Sequence, residues 1–249
     1  MPFVRIAFSH VLAACLVLRA SFAQADDKAK KKATAKKKRA PNPAMRPVED
    51  VAGLPRVLLI GDSISIGYTV AVRDELKGKA NVHRPLTNCG PTTRGVDQID
   101  AWLGDGKWDV IHFNWGLHDL KYMGPAGQNL ADPAADASHQ QVPPDAYEKN
   151  LRTLVARMKK TGAKLIWCAT TPVPAGAAGR VVGDAVKYNA IGAKVAKDND
   201  AAIDDLYSFA KPQLSDIQLK ANVHFSQPGS KTLARHVAAS ILKALDSGE

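Results

Sequence analysis

Hydrophobic residues follow two rhythms along this chain. Short unbroken runs, Val57-Leu58-Leu59-Ile60, Val110-Ile111-His112-Phe113 and Lys164-Leu165-Ile166-Trp167-Cys168, end in turn residues, and a weaker run spans Ala202 to Leu206. Such runs predict strands buried on both faces of a parallel sheet. Elsewhere Tyr147, Leu151, Leu154, Val155 and Met158 recur at helical spacing, as do Leu233, Val237, Ile241, Leu242 and Leu245. These predict two amphipathic helices. Strand–helix alternation across 51–249 predicts an α/β domain: a three-layer α/β/α sandwich on a flavodoxin-like parallel sheet, with its ligand site at the carboxyl ends of the strands. The stretch from Lys121 to Pro144 breaks the rhythm and is rich in Gly, Pro, Ala and Asp, which makes it a candidate lid.

The patterning is different before residue 51. Residues 1–25 carry a basic residue, an apolar run from Ile6 to Leu18 and small residues at Ser21, Ala23 and Ala25, the form of a cleaved secretory signal peptide. That run is shorter than the ~18 apolar residues of a membrane span, and no later stretch reaches that length. Leu12-Ala13-Ala14-Cys15 resembles a bacterial lipobox, but an apolar segment follows Cys15, so one cleaved signal is the favoured reading and the expected location is periplasmic or secreted. Residues 26–50 hold a lysine tract and then prolines, with little to bury, and are expected to form a disordered spacer.

Of 249 residues, 45% are hydrophobic and 23% charged, a globular balance. The net charge of +10 is uneven. Residues 1–25 hold two Arg and no acids, and 26–50 hold nine Lys/Arg against four Asp/Glu, which leaves +3 for 51–249. Lys28 to Arg39 therefore suits nonspecific contact with an anionic polymer, while the absence of interleaved aromatics gives no support for specific nucleic-acid binding. Three Cys exclude a disulfide-stapled miniprotein or a Cys-rich zinc fold.

Candidate chemistry begins at Gly61-Asp62-Ser63-Ile64-Ser65, where the first strand hands over to a helix. A serine there sits at a helix N-terminus whose free N–H groups favour a developing anion, although Asp and Ser are also ordinary helix caps. Ser65 stands where the G-x-S-x-G elbow would need glycine. At the far end, Val223-His224-Phe225-Ser226 precedes the last helix and brings an imidazole able to take the serine proton.

Together these residues resemble the SGNH (GDSL-type) esterase and lipase family, and the resemblance runs in order from Gly61 to the last helix. Gly61-Asp62-Ser63 resembles the first block and implies Ser63 as nucleophile, its N–H donating to the oxyanion. Asn88-Cys89-Gly90-Pro91-Thr92-Thr93-Arg94-Gly95 resembles the second block, implying Gly90 as the next donor, with Gly95 the alternative. Trp115-Gly116-Leu117-His118-Asp119 resembles the third block and Val223-His224-Phe225-Ser226 the fifth, which implies His224 as the base. Asp62 and Asn88 are possible supporting residues.

Two departures touch catalysis. His118 occupies the position of the family's asparagine, which implies an imidazole as third oxyanion donor, titratable where an amide is not; a structural hydrogen-bonding role is the alternative. Asp119 reads as a turn or cap residue rather than a catalytic acid. Three residues before His224 the family places an aspartate and this chain has Ala221, so His224 is oriented by a backbone carbonyl, by another carboxylate such as Asp216, or not at all.

No cofactor is implied, and His112, His118 and Asp119 lack metal-ligand spacing. A Cys89–Cys168 disulfide is permitted by export but disfavoured by the expected strand order. Cys168 to Pro174 look like a substrate-facing loop supported by Tyr188 and Asn189, and Trp115 is either core or a sugar-stacking platform. The expectation is an exported serine esterase acting on short O-acyl esters, on a small molecule or a polysaccharide. Its alternative is a non-catalytic carbohydrate-binding or cell-envelope-binding module on the same fold.

Overall fold

A computed structural model describes residues 42–104 and 106–247. The expected signal peptide, Cys15 and the Lys28–Arg39 tract lie outside the described residues. In chain order the elements are β1 (Arg56–Ile60), α1 (Ser63–Glu75), β2 (Asn81–His83), α2 (Thr92–Leu103), β3 (Val110–Phe113), β4 (Tyr122–Met123), β5 (His139–Gln140) and α3 (Pro144–Lys159). They continue with β6 (Lys164–Cys168), α4 (Asp184–Lys197), β7 (Ala202–Asp204), α5 (Leu206–Ala210), α6 (Leu214–Ile217) and α7 (Gln227–Asp246).

Five strands form a parallel sheet in the order β2-β1-β3-β6-β7, the flavodoxin-like order. Helices α1 and α7 pair on one face, and α2, α3 and α4 pack in sequence on the other. The apolar runs are its central strands: Val57 to Ile60 and Val110 to Phe113 are buried throughout. The stripe Tyr147, Leu151, Leu154, Val155 and Met158 is the buried face of α3, and Leu233, Val237 and Ile241 that of α7. The weak run at 202–206 divides: β7 stops at Asp204 because Asp205 caps α5, its side chain accepting from the Ser208 N–H.

Two expectations need correction. The expected 26–50 spacer is packed in its last part, since Pro43–Met45 form a 3-10 turn with Ala44 buried. Arg73 of α1 donates to the carbonyls of Pro43 (3.2 Å) and Arg46 (3.3 Å), and Asp50 pairs with Arg56 (2.8 Å) and His83 (2.6 Å). The packed chain therefore reaches back at least to Asn42, ahead of the boundary at residue 51. The candidate lid is a bonded hairpin, with β4 and β5 antiparallel. The Tyr122 N–H donates to Gly179 O (2.8 Å), the Gln141 N–H to Lys121 O (2.8 Å), and the Tyr188 hydroxyl to Val142 O (2.6 Å). That pinning makes it a wall of the site rather than a free loop.

Candidate active site

The turn that carries Ser63 follows from two small constraints at the end of β1. A Cβ on Gly61 would lie 2.7 Å from the Cβ of Ser65, so the turn needs glycine there. The buried Asp62 caps α1 by accepting the Ile64 N–H at 2.9 Å. Asp62 thus takes the capping role that competed for this motif and leaves Ser63, the first residue of α1, with a free hydroxyl and an N–H lacking an intrahelical acceptor.

Beneath the turn, the buried Arg84 at the end of β2 donates to Gly61 O (3.3 Å), Thr87 O (3.2 Å), Ser65 Oγ (3.2 Å) and Thr69 Oγ1 (2.9 Å). It staples the Ser63 turn to the next loop. Nothing local in the sequence points to it, because its partners become neighbours only when β2 pairs with β1.

His224 reaches Ser63 from the other end of the chain, Nε2 to Oγ 2.9 Å. Its loop is cinched by Leu219 N–H to His224 O (2.9 Å), Ser226 N–H to Ile217 O (2.9 Å) and Gln218 Nε2 to Pro172 O (3.0 Å). The question left by Ala221 is answered one residue later. Asn222 Oδ1 lies 3.0 Å from the His224 N–H and 2.7 Å from His224 Nδ1. A backbone N–H only donates, so the shared Asn222 atom is an acceptor oxygen. Nδ1 must then carry the ring proton, which leaves the Nε2 lone pair facing Ser63. Asn222 is the orienter of His224. Ala221 is held at φ 52, in the left-handed region, and this turn brings Asn222 beneath the ring.

Asp216 does not serve: it is exposed on α6 and accepts from the Ser215 hydroxyl at 3.1 Å. Asp119 is the tertiary cap of α2, accepting from Thr92 N–H (2.8 Å) and Thr92 Oγ1 (2.6 Å). Complete burial pushes its carboxyl up to about 7 against the lowering effect of the Thr92 bonds. It locks the third sequence block to the second.

The oxyanion side differs in detail from expectation. The Gly90 N–H is turned onto Asn88 Oδ1 at 2.9 Å. Because Oδ1 is occupied, the donor end of the Asn88 amide is the group left for the cavity, which Asn88 lines together with Ser63. Gly95 is no alternative, since its N–H donates to Pro91 O within the α2 start and its Cβ would meet the Trp115 ring at 2.9 Å. His118 lines the same cavity. Burial lowers its pKa, Lys121 and Arg180 push the same way and Asp62 opposes, so it stays neutral further into the acid range and keeps one N–H to donate.

Trp115 is wholly buried and its carbonyl accepts from Tyr147 and Thr170, so it is core and not a sugar platform. The loop after β6 contributes Ala177, Ala178 and Arg180 to the cavity, whereas Cys168 to Thr171 are buried beneath it. Asn189 supports that loop as expected, exchanging two bonds with the Thr170 backbone (2.8 and 2.9 Å). The cavity measures about 370 Å³.

Cys89 and Cys168 are both free and buried. Among the described residues one cluster of metal-type side chains lies close together: His112, Cys168 and Asp204, sealed in the sheet. His112 Nε2 meets Asp204 Oδ2 at 2.8 Å, the Cys168 thiol is turned onto Ala169 O, and burial pushes that thiol well up, against the thiolate a metal would need.

No family model and no curated protein matches this chain. Solved structures do. An acetyl xylan esterase is 16% identical, with 75% of this chain and 99% of that one covered at a TM-score of 0.59. The acetylxylan esterase Axe2 from Geobacillus stearothermophilus is 18% identical over 75% and 94% of the two chains, TM-score 0.60. A GDSL-like lipase from Bacteroides thetaiotaomicron is 16% identical over 80% and 93%, TM-score 0.57. The fold is that of the SGNH hydrolases.

Proposed function

We propose, with that fold as the frame, that this chain is an exported serine esterase that removes short acyl groups from a polar alcohol. The observation that carries the reading is the 2.9 Å contact between Ser63 Oγ and His224 Nε2, with Asn222 setting the tautomer that makes Nε2 a base.

In this mechanism Ser63 Oγ attacks the ester carbonyl while His224 Nε2 takes its proton. The imidazolium that forms keeps its Nδ1–H on Asn222 Oδ1. The N–H of Ser63, the Asn88 amide and the His118 imidazole face the new oxyanion. His224 then protonates the leaving alcohol, and water, activated by the same nitrogen, releases the acyl group from Ser63.

A cavity of modest volume whose lining mixes polar groups with mostly small apolar residues favours a short acyl group, and two structurally similar proteins are acetyl xylan esterases, which favours a carbohydrate alcohol. The segment before residue 26 supports export. A non-catalytic binding module was motivated chiefly by Ala221; Asn222 now supplies the missing orienter, which weighs against it.

The test is hydrolysis of 4-nitrophenyl acetate by wild type beside Ser63→Ala and His224→Ala. Each substitution should lower kcat by about 10³-fold or more. Wild-type activity equal to that of Ser63→Ala, together with no fluorophosphonate label on Ser63, would favour the binding module.

A further inference from the structure

The cavity around Ser63 holds two cations that this mechanism does not use. Lys121 follows Asp119 at the start of the hairpin and is only 9% exposed. Arg180 stands in the loop before α4, which the bond from the Tyr122 N–H to Gly179 O (2.8 Å) holds against the start of the hairpin. Its Nε donates to Leu117 O at 3.0 Å and Nη1 to Ala178 O at 3.4 Å, which fixes the guanidinium and leaves Nη2 without a partner among the described residues. The Lys121 ammonium makes no hydrogen bond among the described residues. Neither residue belongs to any ion pair among them.

The neighbouring carboxylates are already committed. Asp62 lines the cavity but is 2% exposed and caps α1, and Asp119 is turned onto Thr92. Two like charges taken out of water beside each other cost the folded state free energy. Burial lowers the pKa of each, and Arg180 lowers that of Lys121 further. Arg180 gains two backbone bonds for its share of that cost; Lys121 gains none. Local rules broken in this way are expected where a ligand supplies the missing partner. With two cations against the one carboxylate of Asp62, the lining is net positive, and such a cavity concentrates anions.

We propose that Lys121 and Arg180 form an anion subsite beside Ser63, and that the ester hydrolysed carries a carboxylate in its alcohol or its acyl half. The inference rests on the esterase reading and narrows its substrate class. A guanidinium presents paired donors that match the two carboxylate oxygens, and the ammonium adds a point charge. The carboxylate has two possible sources: the sugar ring that bears the acyl group, as in a uronic acid, or a dicarboxylic acyl group. The Lys28–Arg39 tract, basic in sequence, fits an acidic polymer and so favours the first source.

The experiment uses the full chain and two substrate pairs. The first is an O-acetylated methyl glucuronoside against the matching O-acetylated methyl glucoside; the second is mono-4-nitrophenyl succinate against 4-nitrophenyl acetate. The charged member of the first pair should be preferred in kcat/KM by about tenfold or more, largely through KM. Preference confined to the second pair supports the subsite and puts the carboxylate on the acyl side. Lys121→Met and Arg180→Gln should each reduce the preference, and so should about 0.5 M salt acting on wild type, a readout that does not depend on a variant folding. Equal kcat/KM within both pairs overturns the subsite, as does a preference that survives both substitutions. Failure of all four esters in wild type is a different result and overturns the esterase reading itself.

Discussion

This molecule sets its histidines against two kinds of partner, one at the centre of the sheet and one at its edge. In the centre, His112 on β3 and His236 on α7 share the carboxylate of Asp204 at the end of β7, at 2.8 and 3.0 Å. The His236 ring also stacks on Phe209, centroids 4.2 Å apart. Burial alone would raise the Asp204 carboxyl; the bonds from the two imidazoles outweigh it and hold the carboxyl at about 2. At the edge, the exposed His224 rests on a neutral amide and faces a serine. An imidazole on a carboxylate is the pairing expected in a hydrolase, yet here the carboxylate and His112 are fully buried and only His236 is part-exposed. The lesson is that a carboxylate in the core needs imidazoles to stay charged, whereas a catalytic imidazole needs above all a fixed tautomer, which an amide oxygen supplies.

The hardest way to break the contrast is to remove the buried carboxylate. Asp204→Asn leaves two histidines without their shared anion and should cost about 3 kcal/mol of stability, a fall in Tm of roughly 6–12 °C. Turnover per folded molecule should change by less than about twofold, since Asp204 touches no reacting atom. Its pH dependence has two limbs. Asp204 is depressed below its ordinary 3.8, so its contribution is present above that value and lost as pH falls through about 2. His236 is raised above its ordinary 6.5, chiefly by its bond to Asp204, so its contribution is full below 6.5 and is lost as pH rises through the higher folded value. Thermal melts of wild type and variant should therefore differ most between about pH 4 and 6.5. A constant difference across pH, or a collapse of kcat in the soluble variant, would show that the two histidine sets are not separate.

A smaller effect, on activity rather than stability, should follow at the edge. Asn222→Ala frees the His224 ring to take either tautomer and should lower kcat/KM by about 10²-fold. Asn222→Asp keeps an acceptor but adds charge, which favours the imidazolium, so the acidic limb of the kcat/KM profile should move to higher pH. A purely structural Asn222 would move stability and leave that limb in place.

The contrast also explains what the sequence made legible. The central strands and the two long helices could be read because buried elements carry continuous or periodic apolar runs, and the strand order came with the fold that the family resemblance implies. β2 and α2 could not: β2 has three residues, and α2 is anchored by Asp119, a cap distant in sequence from Thr92. Ser63 and His224, which the fold brings to 2.9 Å, both stand at element boundaries, a position that could be read in the sequence. Gly90 departs from expectation because its N–H is spent on Asn88, a bond set by the fold of the loop and not by the motif. Lys121 and Arg180 are separated in sequence from each other and from Ser63, and surface lysines and arginines are common; what marks these two is the lack of a carboxylate partner among the described residues, a property of the folded chain.

The smallest expected effect lies at Ala221, where the edge departs from the familiar spacing. Holding an alanine in the left-handed region at φ 52 costs about 1 kcal/mol, which glycine does not incur. If that turn exists to bring Asn222 one residue nearer the imidazole, Ala221→Gly should raise Tm by roughly 2–4 °C while leaving the pH profile of kcat/KM in place, because Asn222 still accepts from Nδ1. A stability gain with a displaced profile would mean that the methyl group itself holds Asn222 in register, a reading compatible with the close approach of Ala221 to the segment at Gly176, where an added Cβ would lie 3.1 Å from the alanine Cβ. No gain at all would mean that the strain is repaid within the loop, by the bonds of Leu219 and Ser226 that cinch it, and that orientation of His224 is a property of the whole turn rather than of one amide.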